Sequence, residues 1–213
     1  MLRRVTEVQE LLAEFGSGGA GLRDADLSFQ EWEGLALDGV DLSGANLSGS
    51  RLRGGSFAGS NMLGVHVQEA RFEGVGFTGA NLELGFFQKC RFEGCDFSGA
   101  KLIGASFFLC DLRDCLLKHV EFARGQLLSS CLAGVDFTDS DLAGAVLRES
   151  DLEGAVFDRS DLRGADFRKT NFHSARFVGV RAEEALYYGR PPWGEHTTGD
   201  RDMESKLVRF DGE

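Results

Sequence analysis

A chain of 213 residues with 42% hydrophobic and 27% charged side chains is long enough for one or two domains with a real core, and too apolar to be disordered. Its formal net charge of −11 argues against direct phosphate or nucleic-acid binding, which needs a basic footprint, and no apolar run is long enough to span a bilayer. Five cysteines with no export signal point to free thiols in a reducing compartment, so a cytoplasmic location is expected.

Residues 1–15 read as a cap helix, with Val5, Val8, Leu11, Leu12 and Phe15 on one face, a capping-box spacing from Thr6 to Gln9, and Gly16 to end it. "GSGGAG" follows, with Gly16, Gly18 and Gly21 in the G-x-G-x-x-G spacing of a dinucleotide loop. That loop needs a strand before it and a helix after it. Here the order is reversed, so residues 1–19 are taken as a cap helix and a glycine-rich linker.

From Leu22 every fifth residue is apolar, mostly Leu or Phe, through Phe177, giving thirty-two units with no insertion. Two residues before this centre the chain is small, as at Ala45, Cys90, Ser130 and Ala165. One residue before it Asp or Asn is frequent, as at Asp26, Asn46, Asp111 and Asn171. Two residues after it Gly is frequent, as at Gly44, Gly94 and Gly154. A period of five fits neither a straight helix nor a straight strand; it fits a chain that turns a corner every five residues. One such unit cannot bury its own apolar residue, so the units must stack, and residues 20–179 form the repeat. The first coil is the least regular, with Phe29, Gln30, Trp32, Leu35 and Ala36 off the pattern, and the cap helix is expected to pack there.

The segments "ADLSF", "ANLSG", "SDLAG", "SDLEG", "SDLRG" and "ADFRK" resemble the pentapeptide repeat family, whose motif is roughly A-(D/N)-L-x-x, over about three-quarters of the chain. The resemblance implies an all-β solenoid: a right-handed quadrilateral β-helix with four units per coil. Thirty-two units then make eight coils, a rod of roughly 40 Å at about 4.8 Å per coil. Residues twenty apart stack, and the column Leu37, Phe57, Phe77, Phe97, Leu117, Phe137, Phe157 and Phe177 becomes a core ladder.

On this fourfold frame most outward positions are polar. The exceptions are Leu63, Leu84, Phe86, Ile103, Phe108, Leu109, Leu116 and Leu128, of which all but Leu116 fall on two adjoining sides. An apolar patch of this size is expected to be covered, by the C-terminal residues, by a second subunit or by a partner. Asp41, Glu121, Asp141 and Asp161 share a column interrupted by Lys101 and form the candidate acidic face; Arg51, Arg71 and Arg91 lie beside Glu73, Glu93 and Glu153 as a self-neutralising lattice. Cys90 and Cys110 share a column, as do Cys95 and Cys115, in the small inward position, where packing is favoured over metal or redox work. The four histidines occupy unrelated places. No catalytic, cofactor or metal set is assigned, and the chain reads as a non-enzyme.

Residues 180–213 are the expected capping or dimerisation segment, with Tyr187, Tyr188, Trp193, Leu207 and Phe210 as candidate contacts. Family members that protect DNA gyrase from quinolones are acidic, rod-like dimers described as mimics of duplex DNA. The resemblance therefore implies a homodimer with a protein partner, DNA gyrase or topoisomerase IV, and resistance to a topoisomerase poison. The solenoid carries 23 acids and 16 bases over residues 20–179. Duplex DNA carries roughly 23 charges over the same ~40 Å, so the mimicry is dilute. The loops that some quinolone-resistance members insert are absent. The alternative is a general protein-interaction scaffold using the apolar patch.

Overall fold

In the computed structural model, which describes residues 21–187, 198–199 and 208–209, each coil takes twenty residues and stacks in register on the one before. One side carries the parallel sheet β1 (Glu31–Glu33), β2 (Arg51–Arg53), β4 (Arg71–Glu73) and β6 (Arg91–Glu93). The adjoining side carries β3 (His66–Gln68), β5 (Phe86–Gln88), β7 (Ser106–Phe108) and β8 (Gln126–Leu128), also parallel. The other two sides are laddered by single bridges between residues twenty apart, such as Asp41 with Asn61 and Ser56 with Gly76. The architecture is an all-β solenoid of about eight coils. Among the described residues there is no helix. The cap helix and linker expected at 1–19 lie outside the described residues, apart from the loop's last glycine, Gly21, which stands in a turn with φ 67°.

Stacking carries on past residue 179. Arg181 bridges to Asp161 and Leu186 to Asp166, while Ala182 and Ala185 are fully buried. Here the register lengthens: β9 (Arg176–Phe177) pairs with β11 (Thr198–Gly199), and β10 (Leu186–Tyr187) with β12 (Val208–Arg209), each twenty-two residues apart. Tyr187 is half-buried in β10. Tyr188, Trp193, Leu207 and Phe210 lie outside the described residues.

The turn explains the period. Every fifth residue from Asp24 to Glu184 has φ between 50° and 73°. A side chain resists this left-handed conformation and glycine does not, which is why glycine recurs two residues after the centre. The Asp or Asn before the centre holds the turn from outside by accepting the N–H two residues on: Asp41 from Ser43 at 3.0 Å, Asp96 from Ser98 at 2.8 Å, Asn171 from His173 at 3.0 Å. These side chains also link coils, as when the Asn61 amide donates to Asp41 at 3.1 Å.

Every centre from Leu22 to Phe177 is buried, none more than 7% exposed. The expected ladder forms: Phe57 stacks on Phe77 at 5.3 Å, Phe77 on Phe97 at 4.7 Å, Phe137 on Phe157 at 5.2 Å and Phe157 on Phe177 at 5.0 Å. Leu117 interrupts it. Two further stacks, Phe72 on Phe92 and Phe87 on Phe107, meet it edge-on, so the mid-rod core is one aromatic network. Leu35 fills a small position in the first coil, and the coil above answers with Gly55, where a Cβ would lie 2.1 Å from the Leu35 carbonyl oxygen.

The small inward position has a second task. In most turn units the centre's carbonyl accepts from the N–H three residues on, as Leu22 does from Ala25 at 3.1 Å, Leu117 being an exception that accepts from Ser140 Oγ at 2.8 Å. In strands β3 to β8 it accepts from a side chain one coil later: Val67 from Cys90 Sγ (3.4 Å), Phe72 from Cys95 (3.6 Å), Phe87 from Cys110 (3.5 Å), Phe92 from Cys115 (3.5 Å), Phe107 from Ser130 Oγ (3.3 Å), and Leu127 from Ser150. The same Ser130 oxygen accepts the freed N–H of Cys110 at 3.0 Å. A buried backbone pair released by the straighter strand is thus satisfied by one hydroxyl or thiol.

Ser130→Ala leaves two buried backbone groups unpaired and is expected to cost about 2–4 kcal/mol. Ser60→Ala removes a buried hydroxyl with no partner, and its effect is expected to stay within about 0.5 kcal/mol. Urea unfolding of the two variants beside the parent measures the difference; equal losses would refute the bridging role.

Candidate interaction faces

The four sides differ in charge. On the β1-β2-β4-β6 side, Arg51 pairs with Glu31 at 2.8 Å, Arg53 with Glu73 at 3.1 Å, and Arg71 with both Glu73 (2.7 Å) and Glu93 (3.0 Å), while Arg91 also pairs with Glu93. Stacked twenty apart, these side chains neutralise one another, and because they are largely exposed each pair adds little stability.

The acidic column is continuous in the ladder through Asp41, Asn61, Asn81, Lys101, Glu121, Asp141, Asp161 and Arg181. Its four acids are not equivalent. Asp41 is half-buried and spends Oδ1 on the Ser43 N–H and hydroxyl. Asp161 is buried under Arg163 (2.7 Å) and Arg181 (2.6 Å). Glu121 and Asp141 are exposed and in no ion pair among the described residues. In this column the free carboxylates therefore narrow to Glu121 and Asp141. Hydrogen bonding and charge from Arg163 hold the Asp161 carboxyl below its ordinary 3.8, and those of Arg168 lower Asp166 against the opposing effect of burial.

The apolar candidates other than Leu116 lie on two adjoining sides. Phe86, Phe108 and Leu128 lie on β5, β7 and β8, all half-buried. His66, one coil below Phe86, stacks on its ring at 5.2 Å. Leu63 and Ile103 belong to the neighbouring side. Leu84 and Leu109 stand at the two corners that bound the β3-β5-β7-β8 sheet, 67% and 45% exposed, both with φ 56°. Leu116 projects from a different side and is 42% exposed. Phe29 is a further exposed corner residue, 78% accessible at φ 56°, with its ring over Gly49 of the next coil. Its place two residues after Leu27 was the available signal.

The stacked cysteines are buried and free. The hydrogen bond with Cys90, together with burial, pushes the Cys110 thiol up, and Cys95 does the same to Cys115. All four thiols donate to the carbonyls one coil beneath; the hydrogen bond that raises Cys110 and Cys115 lowers their partners Cys90 and Cys95. Among the described residues no group of three or more His, Cys, Asp or Glu is placed to hold a metal ion, and no helix is long and apolar enough to cross a membrane.

The family model for pentapeptide repeats matches eight copies, over residues 20–57, 77–114, 130–168 and 145–181. The chain belongs to the pentapeptide repeat family. Solved structures of similar fold include a trypsin-treated form of QnrB1, a plasmid-mediated fluoroquinolone resistance protein, at 16% identity over 85% of this chain and 91% of that one, with a TM-score of 0.56. HetL, a pentapeptide repeat protein involved in heterocyst differentiation regulation in the cyanobacterium Nostoc sp. strain PCC 7120, is 22% identical over 88% of this chain and 89% of its own, with a TM-score of 0.44. A third, from the Arabidopsis thaliana thylakoid lumen, is 20% identical over 47% of this chain and 70% of its own, with a TM-score of 0.46. No curated protein sequence matches this chain. The likeness to QnrB1 shows a shared fold alone.

Two outcomes follow from this pentapeptide solenoid's thiols and carboxylates. Of the described cysteines only Cys131 is more than marginally accessible, so an aromatic disulfide reagent is expected to titrate one thiol in the folded protein and five in denaturant; fast reaction of several thiols in the folded state would contradict the buried pairs. A carboxyl whose folded pKa is lowered stabilises fully above its ordinary value near 3.8, and that contribution is lost as pH falls through the lowered one. Asp161→Asn is therefore expected to lower the unfolding midpoint at pH 7 and to flatten its decline between about pH 5 and pH 2.

Proposed function

We propose that the protein is a non-catalytic, cytoplasmic binding protein that protects or modulates a type II topoisomerase, DNA gyrase or topoisomerase IV, and so confers resistance to a topoisomerase poison. The observation that carries the reading is an unbroken acidic solenoid, net −11 over the chain, whose described coils take the fold that QnrB1 shares at a TM-score of 0.56. A rod of this width and sign competes for a basic duplex-binding channel by charge and shape. Its mimicry is local: ion pairs neutralise the arginine-rich side, so the free carboxylates of Glu121 and Asp141 are the residues expected to meet the enzyme. Lacking inserted loops, the chain would act through its coil surface.

A second reading, a general scaffold for an unrelated protein, is favoured by the apolar side around Phe86, Phe108 and Leu128.

Gyrase supercoiling with and without a quinolone or an albicidin-type poison, at equimolar and excess protein, separates the two. Protection is expected, and Glu121→Lys combined with Asp141→Lys should reduce it by about tenfold in effective concentration. No change in supercoiling or in poisoning at any ratio would sink the topoisomerase reading and leave the scaffold.

A further inference from the structure

On this acidic rod almost every cation has its own carboxylate. Of the seventeen lysines and arginines from Arg23 to Arg181, fifteen form an ion pair; Lys101 and Arg124 do not. Several of the pairs join residues twenty apart in one column: Arg51 with Glu31 at 2.8 Å, Arg159 with Asp139 at 2.6 Å, Lys169 with Glu149 at 3.2 Å. Lys101 has the same opportunity, with Glu121 bridged to it one coil above, and does not take it. In a chain with 34 acids and 23 bases, a free cation beside free acids is the exception.

The two cations stand in successive coils. Lys101 lies on the side that also carries Glu83, Glu121 and Asp141, none of them in an ion pair among the described residues. Arg124 stands at the corner where this side meets the β3-β5-β7-β8 side. Apolar surface lies between them. Leu84 occupies the same corner two coils below Arg124, and at 67% exposure it is the most exposed aliphatic side chain described. A Cβ on the intervening Gly104 would lie 3.0 Å from Leu84 Cδ2, so the leucine leans over that glycine toward Arg124. The Leu84 N–H donates to the Ile103 carbonyl at 3.1 Å, which sets Ile103, two residues after Lys101, beside it. Leu63, 39% exposed, continues the apolar surface one coil lower. This is the only described place where free charges of both signs surround exposed aliphatic groups.

We infer that this side, centred on Leu84 and Ile103, is the docking face for the topoisomerase of the proposed function, and that Lys101 and Arg124 determine its specificity by pairing with carboxylates of the enzyme. The inference rests on that functional reading and refines it. A channel built for duplex DNA meets phosphates and is basic throughout. It attracts Glu121 and Asp141 but repels Lys101 and Arg124, which are their neighbours on the same rod. A surface that accepts all four is of mixed charge, with an apolar patch opposite the leucine and isoleucine. The contact therefore reaches past the basic lining of the channel onto acidic and apolar protein surface, where duplex DNA has nothing to match. The two cations also act against wrong partners. A rod of −11 is drawn to any basic protein, and a pair of free cations at the centre of its acidic side opposes every surface that is basic alone. The face spans the five coils from Leu63 to Asp141, about 19 Å along the rod.

Quinolone-poisoned gyrase supercoiling, titrated with the full chain and its variants, reads the inference. Lys101→Glu combined with Arg124→Glu adds four negative charges to the rod, two for each substitution. Mimicry by charge alone would make this variant the better protector. The docking face makes it the worse one, by about tenfold or more in effective concentration. Leu84→Gly should weaken protection by about tenfold as well. Glycine takes the left-handed turn at this corner, as Gly64 and Gly104 do, so the urea midpoint of Leu84→Gly should not fall and its lost protection is not a lost fold. Leu116→Asp, an exposed leucine on another side, should protect as the parent does. Full protection by the double variant or by Leu84→Gly would overturn the inference and leave the topoisomerase reading standing. A loss in Leu116→Asp as large as in these two would overturn it by placing the contact elsewhere. No protection by the parent chain would sink both readings together.

Discussion

The left-handed turn taken at every fifth residue is the constraint on which the rest of the rod depends. Repeated without insertion from Asp24 to Glu184, it brings each residue under the one twenty positions later. All else inherits that registration: parallel backbone ladders, aromatic stacks at 4.4–5.3 Å, and ion pairs such as Arg159 with Asp139 at 2.6 Å. The stacking distance of rings and the rise of one coil are both close to 4.8 Å, so the aromatic core fits the backbone without strain.

Registration also turns composition into surface. A residue type repeated at one position becomes a stripe along a side: the paired Arg and Glu of β2, β4 and β6, the mixed column of Asp41 to Arg181, and the neutral side of β3, β5, β7 and β8. A single net charge of −11 hides this. The acids do not make an even negative skin, because several are clamped by arginines and three, Asp158, Asp161 and Asp166, are nearly buried. Any recognition of a basic partner falls to the remaining exposed carboxylates, while the neutral side is left for apolar contact.

The inward small position shows how one local choice serves two levels. Alanine there only makes room. Cysteine or serine makes room and supplies a donor, and in the coil after each of β3 to β8 it is cysteine or serine that appears. In β3 to β8 that donor pairs the centre's carbonyl, whereas β1 and β2 have Gly55 and Val75 at the same place, with no such donor. The stacked cysteines are thereby accounted for without metal or redox chemistry.

Much of this was legible in the chain itself. The five-residue period, the buried centres, the ladder with its break at Leu117, and the outward cluster around Phe86 and Phe108 are consequences of spacing, which a sequence states directly. Its division into segments was less so. Stacking runs beyond Phe177 through Ala182 to Tyr187, because an alanine at the centre, fully buried here, does not announce itself as a core residue. The twenty-two-residue register at Thr198 and Val208 has no periodic signal at all. Nor did the pattern separate the exposed carboxylates of Glu121 and Asp141 from Asp161, whose solvent is excluded by Arg163 and Arg181. Periodicity determines which residues share a column, since it depends only on counting along the chain. Which members of a column are free is decided by neighbours twenty residues distant, and those contacts exist only once the coil has closed.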